Sequence, residues 1–169
     1  MITPNHAQLM ARYNRWQNRS LYTAADTLTD DRRRKDKGAF FGSIHTTLAH
    51  ILWADRIWMS RFADTPPTIP EDAQGKGPAY HDWDALKSDR EAFDDVISNW
   101  TSNLSEAWLA ADFTWTNSAE TVTRTQPAWV LTTHLFNHAT HHRGQAHAML
   151  TSFGAAPEDT DIPFMPASV

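Results

Sequence analysis

A chain of 169 residues makes one domain, long enough to bury a core without disulfides or a structural metal. It has no cysteine, which excludes disulfides, zinc–thiolate sites and a cysteine nucleophile, and fits a reducing compartment. A formal net charge of −5 and a single short basic cluster exclude the broad basic face that nucleic-acid binding normally needs.

In chain order, the opening stretch Met1-Ile2-Thr3-Pro4-Asn5-His6 lacks a basic region followed by an apolar run, so no signal peptide is expected and the cytoplasm is the default location. Thr3 as N-cap with Pro4 at the first helical position starts a helix running to about Leu28, with Leu9, Tyr13, Trp16 and Leu28 on its apolar face. The basic cluster Arg32-Arg33-Arg34-Lys35-Asp36-Lys37 follows Asp30 and Asp31 and reads as a solvated loop. A second helix is expected from Gly42 or Ser43 to Phe62, with Ile44, Leu48, Ile51, Trp58 and Phe62 on one stripe. Its apolar stretch is broken by His50, Asp55 and Arg56, which excludes a membrane span. Asp55 lies on the core stripe, so a cationic or hydroxyl partner is expected for it.

Residues 64–82 carry Pro66, Pro67, Pro70, Gly75, Gly77 and Pro78 and read as a long surface loop. A third helix follows Asp82, with Leu86, Phe93, Ile97, Trp100 and Leu104 at helical steps. Between 112 and 125 the period changes. Phe113, Trp115 and Val122 alternate with Thr and Arg around Asn117-Ser118-Ala119-Glu120, which predicts a short β-hairpin. A fourth helix starts near Pro127 and ends before Gly154, and residues 154–169, with Pro157, Pro163 and Pro166, read as an extended tail. The eight tryptophans sit mostly at helical core positions and indicate packing. Four amphipathic helices with connections of mixed length define an all-α fold, an antiparallel four-helix bundle of one domain over residues 1–169, with a hairpin before the last helix.

The fourth helix carries the chemistry. Leu131, Leu135, His138, His142, Ala146 and Met149 fall within a sector roughly 80° wide. His138 and His142 are one turn apart on that core-facing stripe, close enough to share a metal ion. Buried imidazoles need polar partners or a metal. A third ligand must come from another helix, and the second offers His45 and His50, about 140° apart. His45 lies about 100° to one side of the Ile44-Leu48-Ile51 stripe and His50 about 120° to the other, so periodicity leaves both open.

Three blocks bear on this choice: Tyr13-Asn14-Arg15-Trp16-Gln17-Asn18, the run from Phe41 through His50 to Trp58, and Asn137-His138-Ala139-Thr140-His141-His142-Arg143-Gly144-Gln145. Together they resemble the DinB family of bacterial proteins, from the first helix almost to the C-terminus. The His-x-x-x-His-Arg-Gly-Gln ending is the most specific part. The resemblance implies a four-helix bundle with a three-histidine site for one divalent metal, commonly zinc or nickel with iron or copper as alternatives, and frequent homodimers. It maps the metal ligands to His50, His138 and His142 and leaves His45 as a core or supporting group.

His134 and His141 fall about 80° to 100° from the stripe, on one flank, and His147 roughly opposite it, facing solvent. Arg143 and Gln145 are placed either to anchor a substrate carboxylate or to orient the ligands, and Arg143 equally to pair with Asp55 or a glutamate. Trp129 and Phe136 point away from the core stripe and want cover, a second ground for a homodimer.

Three imidazoles leave coordination positions open, as catalytic metal sites do. The expected function is a metal-dependent enzyme on a small-molecule substrate. The resemblance implies a thiol-dependent S-transferase or isomerase, or a hydrolase, using a low-molecular-weight thiol from outside the chain. The alternative is a non-catalytic metal- or ligand-binding stress-response protein. The catalytic residues are unassigned, and no nucleic-acid or membrane partner is expected. A di-iron carboxylate bundle is excluded because no Glu-x-x-His occurs.

Overall fold

A computed structural model describes residues 1–63, 82–117 and 121–168. The Pro- and Gly-rich segment expected as a loop, apart from Asp82, lies outside them, as do Ser118, Ala119 and Glu120 of the expected hairpin turn.

The first helix, α1 (Pro4–Asp26), starts where the Thr3 hydroxyl accepts the His6 amide at 3.2 Å. A one-turn helix, α2 (Asp30–Arg34), takes in the first half of the basic cluster, which is mostly solvent-exposed as expected but is helical rather than loop at residues 32–34. The Arg33 guanidinium donates to the Leu28 carbonyl at 2.5 Å and the Ala25 carbonyl at 3.3 Å and lies over the Trp83 ring. It thus serves carbonyls at and just beyond the end of α1, where a cation is favoured. Five residues are too few to show a helical period, so only the Thr29 cap signals α2 in the sequence.

The helix α3 (Ile44–Phe62) opens on a capping box in which Ser43 and Thr46 satisfy each other's backbone amides. Asp82 caps α4 (Trp83–Ser102), and Ser105 caps the short α5 (Glu106–Ala110), which no helical period in the sequence marks. Strands β1 (Asp112–Thr116) and β2 (Thr123–Pro127) pair antiparallel with Phe113 opposite Gln126 and Trp115 opposite Arg124. Cross-strand hydroxyl bonds join Thr114 to Thr125 and Thr116 to Thr123. The last long helix is α6 (Ala128–Ser152), closed by Gly154 at φ +82° with the Ala155 amide returning to the Leu150 carbonyl.

Contacts between side chains fix the directions. Asn18 and Asp26 of α1 meet Asp94 and Trp83 of α4, so this pair is antiparallel. On α3, His50 and Trp58 meet His138 and His134 of α6, again antiparallel. The remaining neighbours run in the same direction: His45, Asp55 and Phe62 of α3 meet Trp83, Arg90 and Trp100 of α4. The bundle thus runs up, down, down, up, and the hairpin lies at one end over a cluster of Phe62, Trp100, Trp108 and Phe113. Only Trp16 and Trp83 among the tryptophans are fully buried. Among the described residues no helix is long and apolar enough to cross a membrane.

Two expectations need correction. The C-terminal segment does not trail away but docks on α1. Tyr13 Oη donates to the Thr160 carbonyl at 2.9 Å, Trp16 Nε1 to Glu158 at 2.6 Å and Gln17 Nε2 to the Asp159 carbonyl at 2.8 Å. That docking explains why α1 buries Gln17 and Ser20, polar residues that periodicity assigns to no core face. Phe136 is buried within this one chain, so its need for cover is no ground for a homodimer, and Trp129 is half-buried.

Candidate metal centre

The centre lies between α3 and α6. Its placement begins at the Phe41-Gly42-Ser43 turn, where Gly42 adopts φ +77° and its amide donates to the Ala39 carbonyl at 2.8 Å. The turn folds the chain back so that the Phe41 ring stacks on His50 at 3.8 Å and meets His142 edge-on at 5.2 Å. From α6, His138 and His142 present their rings 4.5 Å apart, the spacing of one helical turn. His50 Nε2 stands 3.2 Å from His138 Nε2, and one ligand nitrogen from each of the three histidines lies within 4.8 Å of the others.

These residues fit a divalent ion. Two nitrogens bound to one tetrahedral ion at about 2.0–2.1 Å stand roughly 3.3 Å apart, close to the His50–His138 separation. The protonation states also fit. Burial, and then repulsion from His142, bring His50 down to about 4, and burial with the neighbouring imidazoles brings His138 down to about 3. At neutral pH both are uncharged lone-pair donors. His142 Nδ1 lies 2.8 Å from Gln145 Oε1, a carbonyl oxygen that can only accept. Nδ1 is therefore the donor in that contact, and Nε2 is the nitrogen left for the cluster.

The other expected residues divide clearly. His45 is 1 % exposed and packs against Trp83, away from the cluster. His134 rests between His138 and Trp58, and burial lowers its pKa. His141 meets the His142 ring and approaches Gln145 Nε2 at 3.3 Å. His147, expected to face solvent, is half-buried on the α1 side. Asp55 has the expected cationic partner, Arg90, at 2.7 Å. Arg143 does not reach the cluster; it donates to Asn14 and, at 2.9 Å, to Thr140. Phe41 and Trp53, whose rings border His50, had no role in the sequence reading. The glycine–serine cap just after Phe41 is the signal that could have found its role.

A helical bundle with a three-histidine cluster between two of its long helices defines the class of site. The family model for the DinB family matches residues 1–168, and the chain belongs to that family. Among solved structures it is similar to a DinB-like protein from Bacillus cereus ATCC 10987, with a TM-score of 0.59 and 15 % identity over 85 % of this chain and 90 % of that one. That likeness bears on the fold alone. No curated protein matches.

Proposed function

We propose that this chain is a metal-dependent enzyme acting on a small molecule, with His50, His138 and His142 holding one divalent ion, zinc or nickel before iron or copper. The observation that carries the reading is the convergence of three imidazoles, two of them only half-buried, with no carboxylate among them in the described residues. A closed structural site would supply a fourth protein ligand; this cluster leaves room for water or substrate.

The chain's own residues hold that arrangement in register. Phe41 covers one face of His50, and Gln145 fixes the ring of His142. His134 and His141 border the cluster without being brought to a common point with it. When bound, the ion supplies a Lewis acid that polarises a carbonyl or favours the deprotonated form of water or a thiol. The reaction proposed first is thiol-dependent transfer or isomerisation, and hydrolysis second. Because the sequence contains no cysteine, the sulfur comes from a diffusible low-molecular-weight thiol.

The test is elemental analysis of protein purified without a histidine tag, followed by a thiol-cosubstrate screen on the metal-loaded form. One equivalent of zinc or nickel, with turnover that a chelator abolishes and added metal restores, supports the enzyme. Stoichiometric metal without turnover across the screen selects the metal-binding stress protein instead. Failure to take up any divalent ion on reconstitution overturns both.

A further inference from the structure

The face of α6 opposite the metal ligands carries a second feature that the metal centre does not use. Arg143 is 4 % exposed, and no carboxylate of the described residues lies within ion-pair distance of it. Its guanidinium has five N–H donors, and its hydrogen-bonding partners are two neutral oxygens, of Asn14 and Thr140. The Tyr13 ring lies beneath it at 5.7 Å. A buried cation without a paired anion is costly. Another buried guanidinium, Arg90, is held between Asp55 and Asp94 and shows what a charge-compensated site in this bundle looks like.

Arg143 lines a cavity of about 260 Å³ between α1, α6 and the docked C-terminal segment. Tyr13, Gln17, Leu21, Gly144 and His147 share that lining. Gly144 is the second, independent observation. It sits in the middle of a 25-residue helix, where glycine is less favourable than alanine, yet a Cβ added there meets no heavy atom within 4 Å. Close packing therefore does not explain the missing side chain. Its effect is to leave the cavity wall open beside Arg143.

We infer that this cavity binds a small monocarboxylate, with Arg143 receiving the carboxylate and Tyr13 and Leu21 walling its short apolar part. The fork geometry of the guanidinium suits a carboxylate, and the volume suits an acid of a few carbons, below the usual range of ligand pockets. The site is separate from the metal centre and does not depend on it.

The experiment titrates tag-free, full-length protein with sodium acetate and sodium propionate, with sodium chloride of equal ionic strength as reference. Nitrogen-15 NMR of the Arg143 side chain and the melting temperature are followed. A saturable shift of the Arg143 Nε–H resonance and a rising melting temperature with acetate or propionate support the site. Gly144→Leu, which fills the cavity without touching Arg143, should weaken that binding at least tenfold and leave metal content unchanged. Gly144→Ala should melt higher than the parent. Response no greater than to chloride, saturation by inorganic phosphate but not by carboxylates, or undiminished binding in Gly144→Leu would each overturn the inference.

Discussion

Around Arg90 the chain supplies a partner for each buried charge. Asp55 and Asp94 flank the guanidinium at 2.7 and 2.8 Å, and Asn18 donates at 2.9 Å to the same Asp94 oxygen that meets Arg90. Between α3 and α6 the chain gathers three imidazoles, and among the described residues only His142 has an acceptor of its own, Gln145. Both clusters are polar groups removed from water, and both are joined across helices. In the first each charge has its counter-charge as folded; the second is arranged for something the described residues do not provide.

The sharpest way to break the comparison is at the complete cluster. Arg90→Ala leaves two buried carboxylates without their cation and should cost about 3–5 kcal/mol of stability, read from urea unfolding. A loss below about 1 kcal/mol would mean that water reaches Asp55 and Asp94 freely.

At the incomplete cluster the opposite pattern is expected. His50→Ala, His138→Ala and His142→Ala should each remove most metal binding, measured by elemental analysis after dialysis, while the metal-free protein unfolds within about 1 kcal/mol of the parent. His45→Ala is the control and should keep its metal. If it loses metal while His50→Ala retains it, the ligand comes from the other side of α3. Gln145→Leu should weaken metal binding by about 10- to 100-fold without removing it, because it frees the ring of His142 and takes away no ligand.

The smallest effect is a pH dependence. The folded values of His50 and His138 lie below the ordinary 6.5, so the unfolded chain binds protons first as pH falls. Their contribution to stability is therefore full above pH 6.5 and lost as pH drops from there toward 4. Metal should stay bound through that same interval and leave near pH 4. Release centred on pH 6.5 would show that the imidazoles are not shielded.

The sequence made the pair on α6 readable because two histidines four residues apart continue a stripe of Leu131, Leu135 and Met149. The partner on α3 was not readable from spacing, and the structure shows why. That helix is enclosed on several sides, burying His45 against Trp83 as well as Leu48 and Ile51, so a histidine off the central stripe is no sign of a surface position. Resemblance to the family carried His50 where periodicity stopped. The elements missed, α2 and α5, have five residues each and are marked only by the caps Thr29 and Ser105. The docked tail was hidden for another reason: most of its hydrogen bonds use its backbone, the carbonyls of residues 159 and 160 and the amide of Glu158, which carries no sequence signal.

That docking has a bearing on how fast the protein can fold. Helical bundles are usually quick because their contacts are local in the chain. Here Tyr13 closes on a residue 147 positions away, Trp16 and Gln17 on residues 142 away, and Asn14 on a residue 129 away. Each demands closure of a long loop before its reward is collected. The first helix can form early, but several of its buried polar groups stay unmatched until the far end of the polypeptide arrives, which makes α1 the slow step in an otherwise fast architecture.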